Sequence, residues 1–243
     1  MKKRLIAHRG DMVTYPENTL LAIQSALNLG MSYIEIDVQL SRDAVPMVVH
    51  DASLLRTAGV DKNIYDLTSK QLDACLVNYS NTDDHEIEML RIPTLQSVVD
   101  IMNNYSETTL FVEIKKQSIE YFGLQVVVDA VLKVLANVKF KVVIISFVAD
   151  VISFLKSRGD ISSGWAVSKF DQQHKQLAQQ IQPDFLFCNI EKINDIACLW
   201  NGSWQWALYD VRDPAYACEL LTKGVHFIET GDIVKLANAK ECQ

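Results

Sequence analysis

The chain has 243 residues, of which 49% are hydrophobic and 22% are charged. These fractions are close to the globular average and exclude a disordered or fibrous chain. The 23 basic residues are outnumbered by 30 acidic ones, which gives a net charge of −7. This charge has the wrong sign for binding along a phosphate backbone, so we expect no nucleic-acid partner.

The amino-terminal residues do not have the pattern of a signal peptide, because only three apolar residues, 5–7, precede His8 and Arg9. No stretch approaches the roughly 20 apolar residues of a membrane span. The five cysteines show no C-x-x-C spacing, and we interpret them as reduced thiols. The sequence therefore predicts a cytoplasmic protein without stable membrane association.

Short β-branched runs alternate with helical patterns along most of the chain, which is typical of parallel βα units. Eight strands are predicted, at 4–8, 32–38, 109–115, 141–147, 162–168, 184–189, 204–211 and 225–230. Eight helices are predicted to follow them, at 17–29, 95–105, 119–137, 149–157, 172–181, 192–200, 214–222 and 233–240. This count in about 250 residues fits a (β/α)8 TIM barrel better than an open doubly wound sheet.

One apolar run, 45–50, comes too soon after the second strand for a parallel crossover, which needs a dozen or more residues. It is predicted to fold back as a hairpin with its turn near residue 43, which places His50 opposite residue 36. The segment at about 52–93 has weak periodicity and one plausible helix at 69–76. We interpret it as a small insertion over the barrel mouth within a single domain, 1–243.

Polar residues stand at the carboxyl ends of these strands, where the active sites of (β/α)8 barrels are built. They are His8, Arg9, Glu35, Asp37, His50, Asp51, Glu113 and Lys115. Residues two apart share a strand face, so Glu35 with Asp37, and Glu113 with Lys115, are each expected to project together. Three converging carboxylates repel one another unless a cation neutralises them. Oxygen ligands favour Mg²⁺ or Ca²⁺ over zinc.

The two histidines, with Arg9 and Lys115 as fixed positive charges, provide the acid, the base and the charge stabilisation that phosphoryl transfer needs. A phosphate ester is therefore the expected substrate. Any one of these residues alone is better explained as a capping or solvent-bridging group. The hypothesis depends on the complete set.

In order and spacing, five motifs resemble those of the glycerophosphodiester phosphodiesterase family: His8-Arg9-Gly10, Pro16-Glu17-Asn18-Thr19, Glu35-Ile36-Asp37-Val38, His50-Asp51 and Glu113-Ile114-Lys115. The resemblance implies a (β/α)8 barrel that hydrolyses a glycerophosphodiester to sn-glycerol 3-phosphate and an alcohol such as choline or ethanolamine.

By the same resemblance, Glu35, Asp37 and Glu113 match the ligands of one divalent cation, and His8 and His50 match the acid–base pair. Arg9 and Lys115 match the phosphate contacts. Glu17 is assigned to the substrate-binding group as a support for Arg9. The alternative for Glu17 is a favourable carboxylate in the first helical turn, with Asn18 as the N-cap.

Two segments depart from the family pattern. Trp206-Ala207-Leu208-Tyr209-Asp210 replaces a Trp-Thr-x-Asn run, and Glu229-Thr230-Gly231-Asp232 replaces Thr-Asp-x-Pro. Both are expected at the rim of the mouth, which leaves the departing alcohol open. Two alternatives also stay open: a related barrel acting on lysophospholipid or phosphoinositide head groups, and a catalytically silent binding barrel. The sequence does not predict an oligomeric state.

Overall fold

The computed structural model describes residues 1–78, 90–159 and 161–239. Within these ranges the centre of the fold is one nine-stranded sheet in the order β1-β9-β8-β7-β6-β5-β4-β2-β3, closed by pairing of β1 with β2. The strands are β1 Leu5–His8, β2 Tyr33–Leu40, β3 Pro46–Val48, β4 Thr109–Ile114, β5 Lys141–Ser146, β6 Ser163–Ala166, β7 Phe185–Asn189, β8 Gln205–Tyr209 and β9 Phe227–Thr230. Apart from β3, all of them pair in parallel, which confirms the predicted (β/α)8 barrel.

The described helices surround this barrel or lie in the insertion. They are α1 Leu20–Asn28, α2 Leu55–Ala58, α3 Ser69–Asp73, α4 Leu95–Met102, α5 Lys116–Phe122, α6 Leu124–Leu135, α7 Ala149–Arg158, α8 Gln172–Ile181, α9 Pro214–Thr222 and α10 Ile233–Ala237. No helix in the described ranges is long and apolar enough to cross a membrane.

Two predicted helices differ from the structure. The helix expected at 119–137 is two helices, α5 and α6, because Gly123 between them has a φ of 85° that ends the first. The helix expected at 192–200 does not form. Two 3-10 turns take its place, Ile190–Lys192 and Ile196–Cys198. The side chains of Asn189 and Asp195 each bond the backbone two residues on, which favours short turns over a regular helix.

The hairpin prediction is confirmed. Strand β3 runs antiparallel to β2 with Val48 opposite Val38, and the Val49 amide donates to the Asp37 carbonyl at 3.0 Å. Continuing this register places His50 opposite Ile36, as the turn position predicts. The side chain of Gln39 donates to the His50 carbonyl at 2.8 Å and fixes the end of the hairpin.

Apolar side chains form three clusters that together position the mouth of the barrel. The largest cluster lies between the sheet and the surrounding helices. A smaller one fills the barrel interior with Ile6, Phe111, Val143, Ile145, Ala166, Phe187, Ala207 and Phe227. The insertion has its own small core on the hairpin, built from Met47, Val49, Leu54, Ile64, Leu72 and Ile92. The part of the insertion at 79–89 lies outside the described residues.

The cysteines partly contradict the expectation of five reduced thiols. Cys75, Cys188 and Cys198 are free, but Cys218 is disulfide-bonded. Cys242 lies outside the described residues. The absence of a C-x-x-C spacing therefore does not exclude a disulfide, because cysteines that are distant in sequence can be close in the fold.

Gly10 provides a test of the packing under the site. A Cβ at this position would lie 2.6 Å from the backbone carbonyl carbon of Ala22, whereas one at Gly224 would meet no atom within 4 Å. Both glycines have positive φ, at 82° and 96°. We expect Gly10→Ala to lower the free energy of unfolding by about 3 kcal/mol or more, and Gly224→Ala by about 1–2 kcal/mol. Urea unfolding measures both, and equal losses would contradict the packing described.

Candidate active site

The carboxyl ends of the barrel strands surround one cavity of about 260 Å³. Five of the predicted site residues line it: His8, Arg9, His50, Glu113 and Lys115. Glu35 and Asp37 are each 1% exposed and lie against these lining residues. The other lining residues are Ile145, Phe147, Ala166, Phe187, Tyr209, Asp210 and Glu229. The structure thus brings the predicted groups together.

Two residues hold unusual backbone conformations beside the acidic cluster. Arg9 has a φ of 57° and Asn18 a φ of 60°, in the left-handed region where side chains other than glycine are strained. The Arg9 amide donates to Glu35 at 3.2 Å. Asn18 donates to the Asp37 carboxylate at 2.9 Å and accepts from the Asp37 amide at 3.2 Å. The strain is therefore tied to hydrogen bonds that fix the two carboxylates.

This arrangement excludes the alternative explanation in which Asn18 is the helix cap. Thr19 is the N-cap of α1, and its side chain accepts from the Ala22 amide. The left-handed turn at Asn18 directs its amide to Asp37, so the helix begins three residues later than predicted. The sequence analysis did not predict that Asn18 supports the Asp37 carboxylate.

The carboxylates of Glu35, Asp37 and Glu113 fit a divalent cation. Oxygens from all three lie within 4.8 Å of one another. The Glu35 Oε1 atom is buried and has no hydrogen-bond partner among the described residues, which is the state expected of a ligand atom. Lys115 contacts Asp37 at 3.1 Å and Glu113 at 2.7 Å, and Arg9 contacts Asp37 at 3.0 Å. Two cations cannot balance three carboxylates.

The pKa values follow from this crowding. Burial followed by repulsion from Asp37 raises the pKa of Glu35 well above its usual range. The same two causes raise the pKa of Glu113 to about 7. Burial would also raise the pKa of Asp37, but Lys115 and then Arg9 outweigh it and lower that pKa. Protons therefore occupy part of the cluster when no cation does.

The two histidines face the cavity in different surroundings. The Nε2 atom of His8 lies 3.9 Å from both Glu35 and Glu229, and burial together with the Arg9 charge lowers the pKa of His8 to about 3. The Nδ1 atom of His50 lies 2.6 Å from Asp51. This contact selects the tautomer of neutral His50 in which Nε2 is free to accept a proton.

A continuous set of ion pairs joins the insertion to both sides of the site. Arg56, in α2 of the insertion, contacts Asp51 at 2.5 Å and Glu17 at 2.6 Å. Glu17 in turn pairs with Arg9 at 3.0 Å, and Arg9 pairs with Asp37 at 3.0 Å. The predicted contact between Glu17 and Arg9 is therefore present, and Arg56 is a partner that the sequence reasoning did not identify.

Glu229 is another site residue that the sequence analysis did not assign. Its carboxylate is buried, and one of its oxygens lies within 4.8 Å of ligand atoms from both His8 and Glu35. Burial and the Glu113 charge raise the pKa of Glu229 to about 8. The signal was present, because Glu229 lies two residues after the inward-facing Phe227 on β9 and so shares its face.

The fold and the site together define a (β/α)8-barrel protein with an acidic, histidine-containing centre at the carboxyl ends of its strands. The chain belongs to the glycerophosphoryl diester phosphodiesterase family, whose sequence profile matches residues 8–233.

Among curated relatives, the chain is 33% identical to a glycerophosphodiester phosphodiesterase of Bacillus altitudinis over 122 residues, which is 50% of this chain and 49% of that protein. It is 32% identical to one of Caldanaerobacter subterraneus over 149 residues, which is 60% of this chain and 59% of the relative. The matches thus span about half to three fifths of these relatives.

Solved structures show the same fold. A phosphodiesterase of Oleispira antarctica, in complex with the product sn-glycerol-3-phosphate, superposes with a TM-score of 0.83 at 23% identity, covering 96% of this chain and 94% of that one. A protein of Silicibacter pomeroyi gives a TM-score of 0.81 at 17% identity, covering 96% and 91% of the two chains.

The crowded carboxylates predict how stability depends on pH. A carboxyl group whose pKa is raised by folding stabilises the folded state most below its unfolded pKa, and this contribution is lost as the pH rises through the folded pKa. With Glu113 at about 7 and Glu229 at about 8, the chelator-treated protein should lose thermal stability between about pH 5.5 and 8.5. Asp37, with its lowered pKa, contributes in the opposite direction only in more acidic solution.

The same experiment tests cation binding, because a divalent cation replaces the protons. Mg²⁺ or Ca²⁺ should raise the unfolding temperature more at about pH 8.5 than at about pH 5.5. Differential scanning fluorimetry measures both series, with Na⁺ at matched ionic strength as the control. An unfolding temperature that depends on neither pH nor divalent cation would show that these carboxylates do not form the site described.

Proposed function

We propose that the protein is a metal-dependent phosphodiesterase that hydrolyses glycerophosphodiesters to sn-glycerol 3-phosphate and an alcohol. The observation that carries this proposal is the convergence of three cation-binding carboxylates, two histidines and two basic side chains on one cavity. The family membership, and the product bound to the Oleispira antarctica protein, support the same substrate class.

In this proposal Glu35, Asp37 and Glu113 hold one divalent cation, Mg²⁺ or Ca²⁺. When bound, the cation supplies neutralisation of phosphate charge and acidification of a neighbouring hydroxyl. Lys115 lines the cavity beside two of the carboxylates, and Arg9 lines it with its guanidinium held by Glu17 and Asp37. Both place fixed positive charge where the non-bridging phosphate oxygens must lie.

His8 and His50 exchange protons with the substrate. Asp51 contacts His50 at Nδ1 and orients the ring, so Nε2 is free to accept and return a proton. His8 faces the same cavity from β1. In the proposed reaction, one histidine deprotonates the attacking oxygen and the other protonates the departing alcohol oxygen.

The attacking oxygen is supplied by the substrate. Among the described residues that line the cavity there is no serine, threonine or cysteine. The glycerol hydroxyl next to the phosphoester can attack phosphorus, which forms a cyclic phosphate as the bond to the alcohol breaks. Water then opens the ring, and the histidines transfer protons in the reverse sense. An intramolecular nucleophile gains a large effective molarity over free water.

The size of the cavity favours this substrate over a lysophospholipid. A mouse lysophospholipase D is 34% identical to the chain over 116 residues. However, the cavity of about 260 Å³ lies below the roughly 300–1,000 Å³ typical of drug-sized ligands.

A cytoplasmic location remains a prediction from the sequence. The disulfide at Cys218 weakens the part of that prediction that was based on reduced cysteines.

The histidines and the cation give the direct test. Release of sn-glycerol 3-phosphate from a glycerophosphodiester, coupled to a dehydrogenase, should be abolished by a chelator and restored by Mg²⁺ or Ca²⁺. His8→Ala and His50→Ala should each lower kcat by about 10²–10⁴-fold. His174→Ala, outside the cavity, is the matched control. Full activity in the chelator, or losses below about tenfold in both variants, would refute the proposal.

A substrate lacking one hydroxyl tests the nucleophile. A glycerophosphodiester analogue without the hydroxyl next to the phosphoester should bind with a similar KM but turn over more slowly by about 10³-fold or more. The comparison uses steady-state kinetics with alcohol release as the readout. An unchanged kcat would assign the attack to water and leave the residue roles intact.

A further inference from the structure

The wall of the cavity formed by β5, β7, β8 and β9 has a chemistry that hydrolysis of the phosphoester does not use. We call it the head-group wall and define it by Phe147, Phe187, Tyr209, Asp210 and Glu229, all of which line the cavity. It combines aromatic rings with two acidic side chains. The basic residues that line the same cavity, Arg9 and Lys115, belong to the phosphate-binding group.

Glu229 is a buried acid with unused hydrogen-bonding capacity. Glu229 is 4% exposed, and its side chain makes no hydrogen bond within the described ranges. The His8 imidazole approaches it only to 3.9 Å, which is beyond hydrogen-bond distance. Because this carboxyl group lines the cavity, a ligand bound there is positioned to supply the missing hydrogen bond.

Asp210 is held at the cavity by a strained backbone. Its φ is 66°, and Asn189 donates to its carboxylate at 2.6 Å. No Lys or Arg pairs with Asp210 in the described part of the chain. Left-handed residues other than glycine cluster at sites where the geometry serves a ligand. The wall therefore presents a second acidic side chain without a cationic partner.

We propose that the head-group wall binds a departing alcohol that carries an ammonium group, and so selects the cationic members of the glycerophosphodiester class. This inference rests on the proposed function. It assigns a role to the two segments, 206–210 and 229–232, in which the sequence departs from the family pattern.

Charge and shape both support this choice. A cation over the rings of Phe147 and Tyr209 is attracted by their negative faces. A quaternary ammonium gains this contact and the attraction of the Asp210 charge, without forming a hydrogen bond. A primary ammonium additionally donates hydrogen bonds to Asp210 and Glu229. A neutral alcohol of the same size gains neither, and an anionic one is repelled by the Asp210 carboxylate.

The test compares two substrates that differ only in charge: the choline ester of glycerol 3-phosphate and its neutral carbon analogue, the 3,3-dimethylbutyl ester. Both release sn-glycerol 3-phosphate, so one coupled assay serves for both. We expect kcat/KM to favour the choline ester by about tenfold. The ethanolamine and glycerol esters form a second pair, with and without an ammonium group.

Three variants localise the effect: Asp210→Asn, Glu229→Gln and Phe147→Leu. Because Asn tolerates positive φ as well as Asp does, Asp210→Asn retains the backbone and removes only the charge. Glu107→Gln is the matched control, since Glu107 is exposed and precedes β4 at the opposite end of the barrel. The ratio of kcat/KM within one variant cancels any loss in the chemical step, including one transmitted from Glu229 to His8.

A preference above about threefold for the ammonium substrate, reduced at least about threefold by Asp210→Asn or Glu229→Gln and unchanged by Glu107→Gln, supports the proposal. If Phe147→Leu weakens only the choline ester, the ring recognises the quaternary ammonium. A preference below threefold, or one that the variants leave unchanged, overturns the proposal while the proposed function stands. Failure to hydrolyse any of the four diesters overturns both.

Discussion

Crowding of carboxylates at one end of a closed barrel is the constraint on which the rest of the site depends. Glu35, Asp37, Glu113 and Glu229 project into the same small volume, and their desolvation opposes folding. Lys115 and Arg9 offset part of this cost, as do the hydrogen bonds of the left-handed turn. The remaining negative charge favours the binding of a divalent cation. Stability and function therefore oppose each other at this site.

Much of the fold and the site can be predicted from the alternation of residues along each strand and from the length of the connections between strands. The alternation within 33–40 directs Glu35 and Asp37 to one face, and the short connection to 46–48 leaves only an antiparallel return. These two local rules are enough to place His50 near the acidic residues before any tertiary contact is known. Strand ends are predictable because parallel strands of one barrel share a direction.

The features that could not be predicted depend on contacts between distant segments. Arg56 is an ordinary helical arginine in the sequence, and its two partners lie 5 and 39 residues away along the chain. The expected helix at 192–200 has helical composition, but the side chains of Asn189 and Asp195 favour tight turns. The alternation of residues on β9 predicts that Glu229 faces the barrel interior. Its contacts with His8 and Glu35 depend on neighbouring strands and could not be predicted.

The bridge made by Arg56 also relates activity to local folding. The insertion has a small core of its own, and segments with few buried contacts open at lower free energy than the whole domain. When α2 detaches, Asp51 and Glu17 lose a shared partner at the same moment, so His50 and Arg9 lose support together. Under the proposed function, local opening of the insertion would lower the fraction of molecules in which both groups are held in place. Warming should reduce activity before the barrel itself unfolds.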